Sequence, residues 1–314
     1  MTTAVDRIAI KAKERPGDRI FSTATVVAGS LILAVLAAVA LFLFVQSIPA
    51  FVAPADAFKG DFSNFWSYVA PLAFGTVWSA FLALLMAVPI AIAVALFISH
   101  YAPRKLAQGL GYLIDLLAAV PSVVFGLWGI GVLAPLVQPF YANLVEWFGW
   151  FPLFAGPVSG TGRTILTVAI VLAVMVLPIM TAICREVFLQ TPVLHEEAAL
   201  ALGATRWEMI RTAVLPFGRS GIVSAAVLGL GRALGETMAV AMVLSASGAV
   251  TFKLLTSVNP STIAANIALT FPEAYGMNVN VLIATGLILF IVTFVVNAIA
   301  RWIVSRRKEF SGAN

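Results

Sequence analysis

Charged residues are what this sequence has least of. Only 11% of its 314 residues are Asp, Glu, Lys or Arg, whereas 61% are hydrophobic. A soluble domain has about 25% charged and about 45–50% apolar residues. Too little polar surface is available to cover a soluble globule, so the composition predicts a protein embedded in a membrane. The net charge of +5 is dispersed in short clusters between apolar runs, which argues against nucleic-acid binding.

Cysteine and histidine are nearly absent as well. The single cysteine, Cys184, excludes an internal disulfide, and two histidines, His100 and His195, cannot build a histidine-rich metal site. We interpret both histidines as structural and expect no bound metal and no cofactor. The sequence also has no Gly-x4-Gly-Lys-Ser/Thr run, which excludes ATP binding through a P-loop. Energy for any driven process must therefore come from a partner.

Six long apolar runs are the dominant feature that is present. Each is long enough to cross a bilayer as a helix, for which about 20 residues suffice. The predicted spans are residues 22–45, 70–99, 106–133, 164–184, 220–244 and 279–304. The sequence thus predicts an all-α integral membrane protein with six transmembrane helices.

The remaining segments divide the chain into two tails, one membrane domain and its loops. The predicted units are a tail at 1–21, a membrane domain at 22–308 with its core at about 70–305, and a tail at 309–314. Residues 134–163 are rich in aromatics and proline, which is typical of a loop at the membrane interface. Residues 245–278 form a second polar loop, in which Asn259-Pro260 is predicted to cap and begin a short helix.

The distribution of lysine and arginine predicts the orientation in the membrane. Fifteen of the nineteen basic residues fall on one side, in the first tail, the turn at 100–105, the loop at 185–219 and the C-terminal end. Only Lys59, Arg163 and Lys253 fall on the other side. Because cytoplasmic loops carry the excess of basic residues, both termini and the 185–219 loop are predicted to be cytoplasmic.

The loop at 185–219 has the signals of two helices joined by a glycine. Thr191 and Pro192 are predicted to cap and start a helix that extends to 202, and Gly203 breaks it. Thr205 and Glu208 have the spacing of a capping box for a second helix, which Pro216 is expected to end. The segment between these two spans therefore consists of a helix, a glycine hinge and a second helix. This arrangement indicates a segment that binds a partner protein. The alternative is an ordinary helical loop.

Two ionisable residues are predicted to lie deep in the fifth span. Arg232 is about 12–14 residues from its cytoplasmic end, roughly 20 Å at 1.5 Å per residue, and Glu236 follows at i+4 on the same helix face. Each costs about 2.5–3.5 kcal/mol in the bilayer. They either form a structural ion pair or line a path for an oxyanion, which a guanidinium fork can hold. Glu236 could orient that fork or accept a hydrogen bond from a protonated oxyanion.

Two further features surround this pair. Gly231 and Gly235 form a small-xxx-small pattern, which lets helix backbones approach closely. Asp115, in the third predicted span, is a third buried charge that could act as a counter-ion or a hydrogen-bond acceptor.

The loop at 185–219 resembles the "EAA" loop of ABC importer permeases. The resemblance is carried by Glu197-Ala198-Ala199, by Gly203 after three intervening residues, and by Leu215-Pro216 at the end of the motif. One residue departs from the family pattern, since Ala213 stands where isoleucine is usual. The resemblance implies that this loop is a coupling helix seated in a cleft of a cytoplasmic ATPase.

The fifth span is similar to the signature of phosphate ABC importer permeases. Residues 231–240 carry this similarity, residues 69–77 support it, and the match extends over most of 20–308. It implies a type I importer permease fold and a PstC-type rather than a PstA-type subunit. The implied partners are a PstA-type permease subunit, an ATPase dimer, an extracytoplasmic phosphate-binding protein, phosphate and the lipid bilayer of the plasma membrane. Arg232 and Glu236 would then belong to the substrate path, and Glu197 and Gly203 to the coupling loop.

Three other functions remain open at this point. Sulfate and molybdate importer permeases resemble the same Arg-x3-Glu pattern, so another oxyanion is the main alternative. An ion-coupled secondary transporter is less favoured because no second copy of the Arg-Glu helix is visible, although such folds often have repeated halves. A membrane enzyme would need a nucleophile, base or metal cluster at the span ends, and none is visible.

Overall fold

The chain forms one α-helical bundle. The computed structural model describes residues 15–58 and 62–305. Most of the predicted first tail, the basic cluster Arg306-Arg307-Lys308 and the predicted tail at 309–314 lie outside these residues. Within the described ranges the only β-pairing is an isolated bridge between Ala246 and Asn259. The predicted all-α class is therefore confirmed.

Twelve α-helices are present in the described part of the chain. They are α1 (Pro16–Ser47), α2 (Phe65–Leu96), α3 (Arg104–Ala118), α4 (Ser122–Trp128), α5 (Ala134–Phe148), α6 (Ile165–Leu189), α7 (Val193–Ala201), α8 (Arg206–Met209), α9 (Leu215–Gly235), α10 (Met238–Val243), α11 (Ile263–Thr270) and α12 (Met277–Ser305). Single π-helical turns at Phe97–Tyr101, Gly129–Leu133 and Ile210–Val214 extend or join some of them.

Among residues 15–58 and 62–305, six helical stretches are long and apolar enough to cross a membrane. They are Pro16–Val52, Phe65–Tyr101, Ser122–Phe148, Ile165–Leu189, Arg206–Gly235 and Met277–Trp302. The number of spans was predicted correctly, and the first, second, fourth and sixth overlap their predicted ranges closely.

The third span was placed wrongly. Residues 106–133 do not form one helix, because α3 ends at Ala118 and the chain bends before α4 begins at Ser122. Pro121 explains the bend, since proline disfavours helical geometry at the residue before it and lacks an N–H. The membrane helix instead continues through α5 to Phe148, so much of the predicted aromatic loop at 134–163 is helical.

Helix α6 lies at the centre of the bundle, between α2 and α9. The side of α2 in the core carries an alanine stripe in which every member is fully buried: Ala80, Ala83, Ala87, Ala91 and Ala95. A spacing of three or four residues places these methyl groups on one helix face. Small residues allow close backbone approach, which is how membrane helices gain packing energy.

The loop between α10 and α11 folds back onto the bundle around Asn259. This side chain is fully buried; its oxygen accepts from Ile165 N (3.1 Å), and its nitrogen donates to the carbonyls of Thr256 (3.0 Å) and Ser245 (3.1 Å). Asn259 therefore ties the loop to the start of α6. The predicted short helix exists, but its N-cap is Thr262 rather than Asn259.

Gly75 allows α2 to contact the folded-back loop closely. A Cβ at this position would overlap the carbonyl oxygen of Ser261, so α2 and the folded-back loop meet backbone to backbone. The same junction is closed by a hydrogen bond from Ile263 N to Thr76 Oγ1 (2.9 Å).

Candidate functional site

The first candidate site is the helix–glycine–helix segment between α6 and α9. Helix α7 begins after Pro192, which occupies the N-cap position itself, so the prediction of Thr191 as N-cap is wrong. The Thr191 hydroxyl is buried and has no hydrogen-bond partner among the described residues. Glu197, Ala198 and Ala199 all lie within α7, as predicted.

Gly203 ends α7 in the way that glycine-terminated helices usually end. Its φ of +86° is in the left-handed region, which glycine adopts at no steric cost. Gly203 N donates to the Leu200 carbonyl (3.0 Å), and Ala204 N donates to the Ala199 carbonyl (3.2 Å). These two bonds are those of a Schellman motif. The predicted glycine break is therefore confirmed.

The start of the second helix is also as predicted. Thr205 N donates to Glu208 Oε2 (2.7 Å), and Glu208 N donates to Thr205 Oγ1 (3.3 Å), which completes a capping box. The predicted end at Pro216 is wrong, because α8 continues through the π turn into α9. In that turn Leu215 N donates to the carbonyl of Ile210, five residues back. The wider turn accommodates Pro216, which has no N–H to donate.

The surface of this segment is unusually apolar for an exposed loop. Leu202 is 90% exposed and Leu194 is 76% exposed, and Trp207 of α8 is also exposed. Glu197 lies on the same exposed helix. Contiguous exposed apolar side chains usually mark a protein interface. Glu196 approaches His100 after α2 (Oε1 to Nε2, 3.4 Å), so this surface is fixed to the membrane bundle.

The second candidate site lies where the fifth membrane helix stops. Arg232 is in the last turn of α9, close to the helix end whose carbonyls favour a cation. Its Nε atom is buried, and the structure gives it no hydrogen-bond partner among residues 15–58 and 62–305. A buried donor without an acceptor is costly, so Arg232 is a candidate site residue.

Glu236 does not have the position that the sequence predicted. Helix α9 ends at Gly235, and Glu236 is extended (φ −68°, ψ 127°) rather than one helical turn above Arg232. The two side chains form no ion pair, which removes the structural ion-pair interpretation. The Glu236 carboxylate is buried, and its Oε1 accepts from Ala239 N (3.0 Å), which caps the start of α10.

Arg163 is a functional candidate that the sequence analysis counted only as an outer-side charge. Its guanidinium donates to the carbonyls of Met242 (3.1 Å), Val243 (3.3 Å) and Leu244 (3.4 Å) at the end of α10. The short helix after the break is thus held at its start by Glu236 and at its end by Arg163. The only available signal was an arginine directly before an apolar span.

The glycines around Arg232 do not serve helix packing within this chain. A Cβ added at Gly231 or Gly235 would meet no atom within 4 Å, whereas one at Gly229 would press on Met180 of α6. The predicted small-xxx-small contact is therefore not formed among the described helices. The face of α9 that carries Gly231 and Gly235 is open beside the Arg232 guanidinium.

Asp115 is also placed differently. It lies on α3, outside the membrane span, and its side chain is exposed rather than buried. The expectation of a buried counter-ion is therefore not met in this chain. The cause is the bend at Pro121, which separates α3 from the membrane helix.

The role of Glu236 as a cap can be measured directly. Glu236→Ala removes the acceptor for Ala239 N, which we expect to cost about 1 kcal/mol and to speed amide exchange in α10 roughly fivefold. Glu236→Gln keeps an acceptor oxygen at the same place, so exchange should stay near the wild-type rate. Hydrogen exchange of the assembled complex checks both variants, and equal exchange in the two would contradict the cap.

The six described helices able to cross a membrane, with an exposed helix–glycine–helix segment between two of them, are consistent with a membrane transport component. The chain belongs to the family of binding-protein-dependent transport system inner membrane components, whose model matches residues 87–309. The resemblance predicted from residues 197–216 and 231–240 is thereby confirmed. The protein is a multi-pass membrane component of an ABC transporter system with other subunits.

Relatives and a solved structure agree with this placement. The chain is 47% identical over 305 residues to "Phosphate transport system permease protein PstC 2" of Mycobacterium tuberculosis, with 91% of each chain covered. It is 40% identical over 309 residues to "Phosphate transport system permease protein PstC" of Mesorhizobium japonicum, with 94% and 92% covered. A bacterial ABC transporter structure involved in alginate import shares the fold, with a TM-score of 0.59, 17% identity, and 92% and 99% coverage. The predicted type I importer permease fold is confirmed.

Proposed function

We propose that this chain is the PstC-type permease subunit of an ATP-driven importer that translocates inorganic phosphate. Relatives that carry this name match almost the whole chain at 40–47% identity. The observation that carries the proposal is the buried Arg232 Nε, which has no hydrogen-bond partner among the described residues at the break in a membrane helix. The chain itself is non-catalytic, and a partner hydrolyses ATP.

Arg232 would bind the cargo through its planar donor fork. A guanidinium can donate two parallel hydrogen bonds to an oxyanion, and such charge-assisted bonds are about twice as strong as neutral ones. The anion would also compensate the burial cost of the cation, so binding is favoured only when both are present. Arg232 lies in the last turn of α9, where the helix dipole favours a cation.

Glu236 would contribute selectivity as well as the cap. Its second carboxylate oxygen could accept a hydrogen bond from a protonated phosphate. A fully deprotonated oxyanion such as sulfate has no proton to donate and would be repelled by the carboxylate. This role depends on the negative charge, whereas the cap on α10 does not.

The apolar surface of α7 and α8 would seat the ATPase. Exposed Leu194, Leu202 and Trp207 supply an apolar contact, and the Schellman turn at Gly203 sets the angle between the two helices. Helix α8 is continuous with α9. A displacement of the α7–α8 segment by the ATPase would therefore also move the helix that carries Arg232. ATP binding by the partner would in this way change access to the path.

The proposed setting is the plasma membrane, with both termini and the α7–α8 segment in the cytoplasm. Basic residues concentrate on that side. An extracytoplasmic phosphate-binding protein would deliver cargo to the opposite side. A PstA-type subunit would cover the open face of α9 at Gly231 and Gly235, where small residues permit close approach.

The test is cargo-stimulated ATP hydrolysis by the reconstituted complex. With the matching binding protein present, phosphate should stimulate hydrolysis, whereas sulfate and molybdate at equal concentration should not. Stimulation by sulfate or molybdate instead would assign the permease to another oxyanion. Uptake by this chain without any ATPase would favour an ion-coupled secondary transporter and end the proposal.

A further inference from the structure

A groove of about 520 Å³ lies between α3 and the end of α6, away from the broken helix. It is at the end of the bundle that carries α7, because α6 leads directly into that segment. Two guanidiniums and one carboxylate line it: Arg104, Arg185 and Asp115. Neither candidate site described above uses any of these three side chains.

Arg185 is the central group of the groove. Its Nε atom is buried and has no hydrogen-bond partner in the described part of the chain. The guanidinium lies under α3, where a Cβ at position 111 would overlap Arg185 Nη1. Gly111 therefore makes the space that the guanidinium occupies, and the charge is held in place by packing rather than by a counter-ion.

The face of α3 that lies over Arg185 carries several polar residues at helical spacing. Arg104, Gln108, Gly111 and Asp115 follow each other at i, i+4, i+7 and i+11, which is one face of a helix. Asp115 is one turn from Gly111, about 6 Å along the axis at 1.5 Å per residue. Asp115 and Arg185 line the same groove but form no ion pair with each other.

The position of the groove matches the surface of a bilayer. Arg185 is four residues before the end of α6, which is itself long enough to span the hydrocarbon core. The side of α3 away from the groove exposes Leu113 and Leu116, which suits a helix that lies in the membrane interface. A lipid beside α3 would therefore have its acyl chains in the apolar layer and its headgroup level with Arg185.

We propose that this groove binds a phospholipid headgroup that carries both a phosphate and a primary amine, such as phosphoethanolamine. Arg185 donates to the phosphate oxygens, with Arg104 as a second, exposed cation nearby. Asp115 accepts from the ammonium group, which lies beyond the phosphate by the length of the ethanolamine arm. The pairing satisfies both charges that the chain leaves unpaired, and it is independent of the transported cargo.

The test compares three lipids on the purified, delipidated importer complex. Native mass spectrometry or lipid titration should show phosphatidylethanolamine binding at least about tenfold more tightly than phosphatidylglycerol or phosphatidylcholine, since a charge-assisted hydrogen bond contributes about that factor. Phosphatidylglycerol lacks the amine, and phosphatidylcholine has a cation without N–H donors. Equal binding of all three would overturn the proposal.

Substitutions of Arg185 and Asp115 test the phosphate contact and the amine contact separately. Arg185→Gln should remove the tight binding, and Asp115→Asn should keep phosphate binding but erase the preference for phosphatidylethanolamine over phosphatidylglycerol. Arg301→Gln, an exposed cation on α12, is the matched control and should behave as wild type. Unchanged affinity for phosphatidylethanolamine in Arg185→Gln overturns the proposal.

Two further outcomes would assign the groove differently. If both variants lower the melting temperature of the lipid-free complex by the same amount, Arg185 and Asp115 are partners of each other and the lipid site is wrong. If inorganic phosphate displaces the lipid at millimolar concentration, the groove belongs to the cargo and the lipid assignment fails. Neither result bears on the proposed role of Arg232, because that role is tested separately by phosphate uptake.

Discussion

Arg232→Ala should abolish phosphate uptake while the importer remains assembled. The substitution removes two charge-assisted hydrogen bonds to the anion, which at about 1.5–3 kcal/mol each predicts a loss of roughly a hundredfold or more at subsaturating phosphate. We expect assembly to survive, because Arg232 Nε makes no hydrogen bond to another described residue of this chain. Uptake by proteoliposomes that contain the purified complex measures the effect.

Two matched variants sharpen this result. Arg232→Lys keeps the charge but loses the planar fork, so uptake should be intermediate. Arg301→Ala removes an exposed arginine from α12 and should leave uptake unchanged. Wild-type uptake by Arg232→Ala would reduce Arg232 to a structural role. Loss of assembly in Arg232→Ala, with assembly retained in Arg232→Lys, would show that its charge holds the subunits together instead.

The coupling segment was predictable because its signals are local. Gly203 ends one helix, and Thr205 and Glu208 cap the next, and every hydrogen bond involved spans at most five residues. The prediction that Pro216 ends the helix was wrong for a reason that is not visible in the local sequence. Whether a proline ends a helix or is accommodated by a π turn depends on packing around the turn, where Ile210 and Val214 are fully buried.

The break after Gly235 was not predictable from the residues around it. The apolar run continues on both sides, so hydropathy indicates a single helix through 244. The short helix beyond the break is held by Arg163, about 80 positions earlier in the chain, whose bonds to its final carbonyls leave no trace in local sequence. The sequence therefore indicated Arg232 and Glu236 but gave them the wrong relation to each other.

Gly203→Pro should uncouple ATP hydrolysis from transport. Proline fixes φ near −65°, whereas this position has φ +86° and donates its N–H to the Leu200 carbonyl, so both the turn and its hydrogen bond are lost. Helix α7 would then meet the ATPase at a different angle from α8. We expect phosphate uptake to fall at least about tenfold, with the ATPase either absent from the purified complex or no longer stimulated by phosphate.

Gly203→Asn is the matched control at the same position. Asparagine tolerates the left-handed region far better than other residues with a side chain. A Cβ there would meet no atom within 4 Å, so added bulk alone has no cost. Uptake and phosphate-stimulated hydrolysis in Gly203→Asn should therefore stay close to wild type, while Gly203→Ala should fall between the two. If the Gly203→Pro complex copurifies with the ATPase and still transports phosphate, the segment from α7 to α8 does not couple ATP hydrolysis to transport.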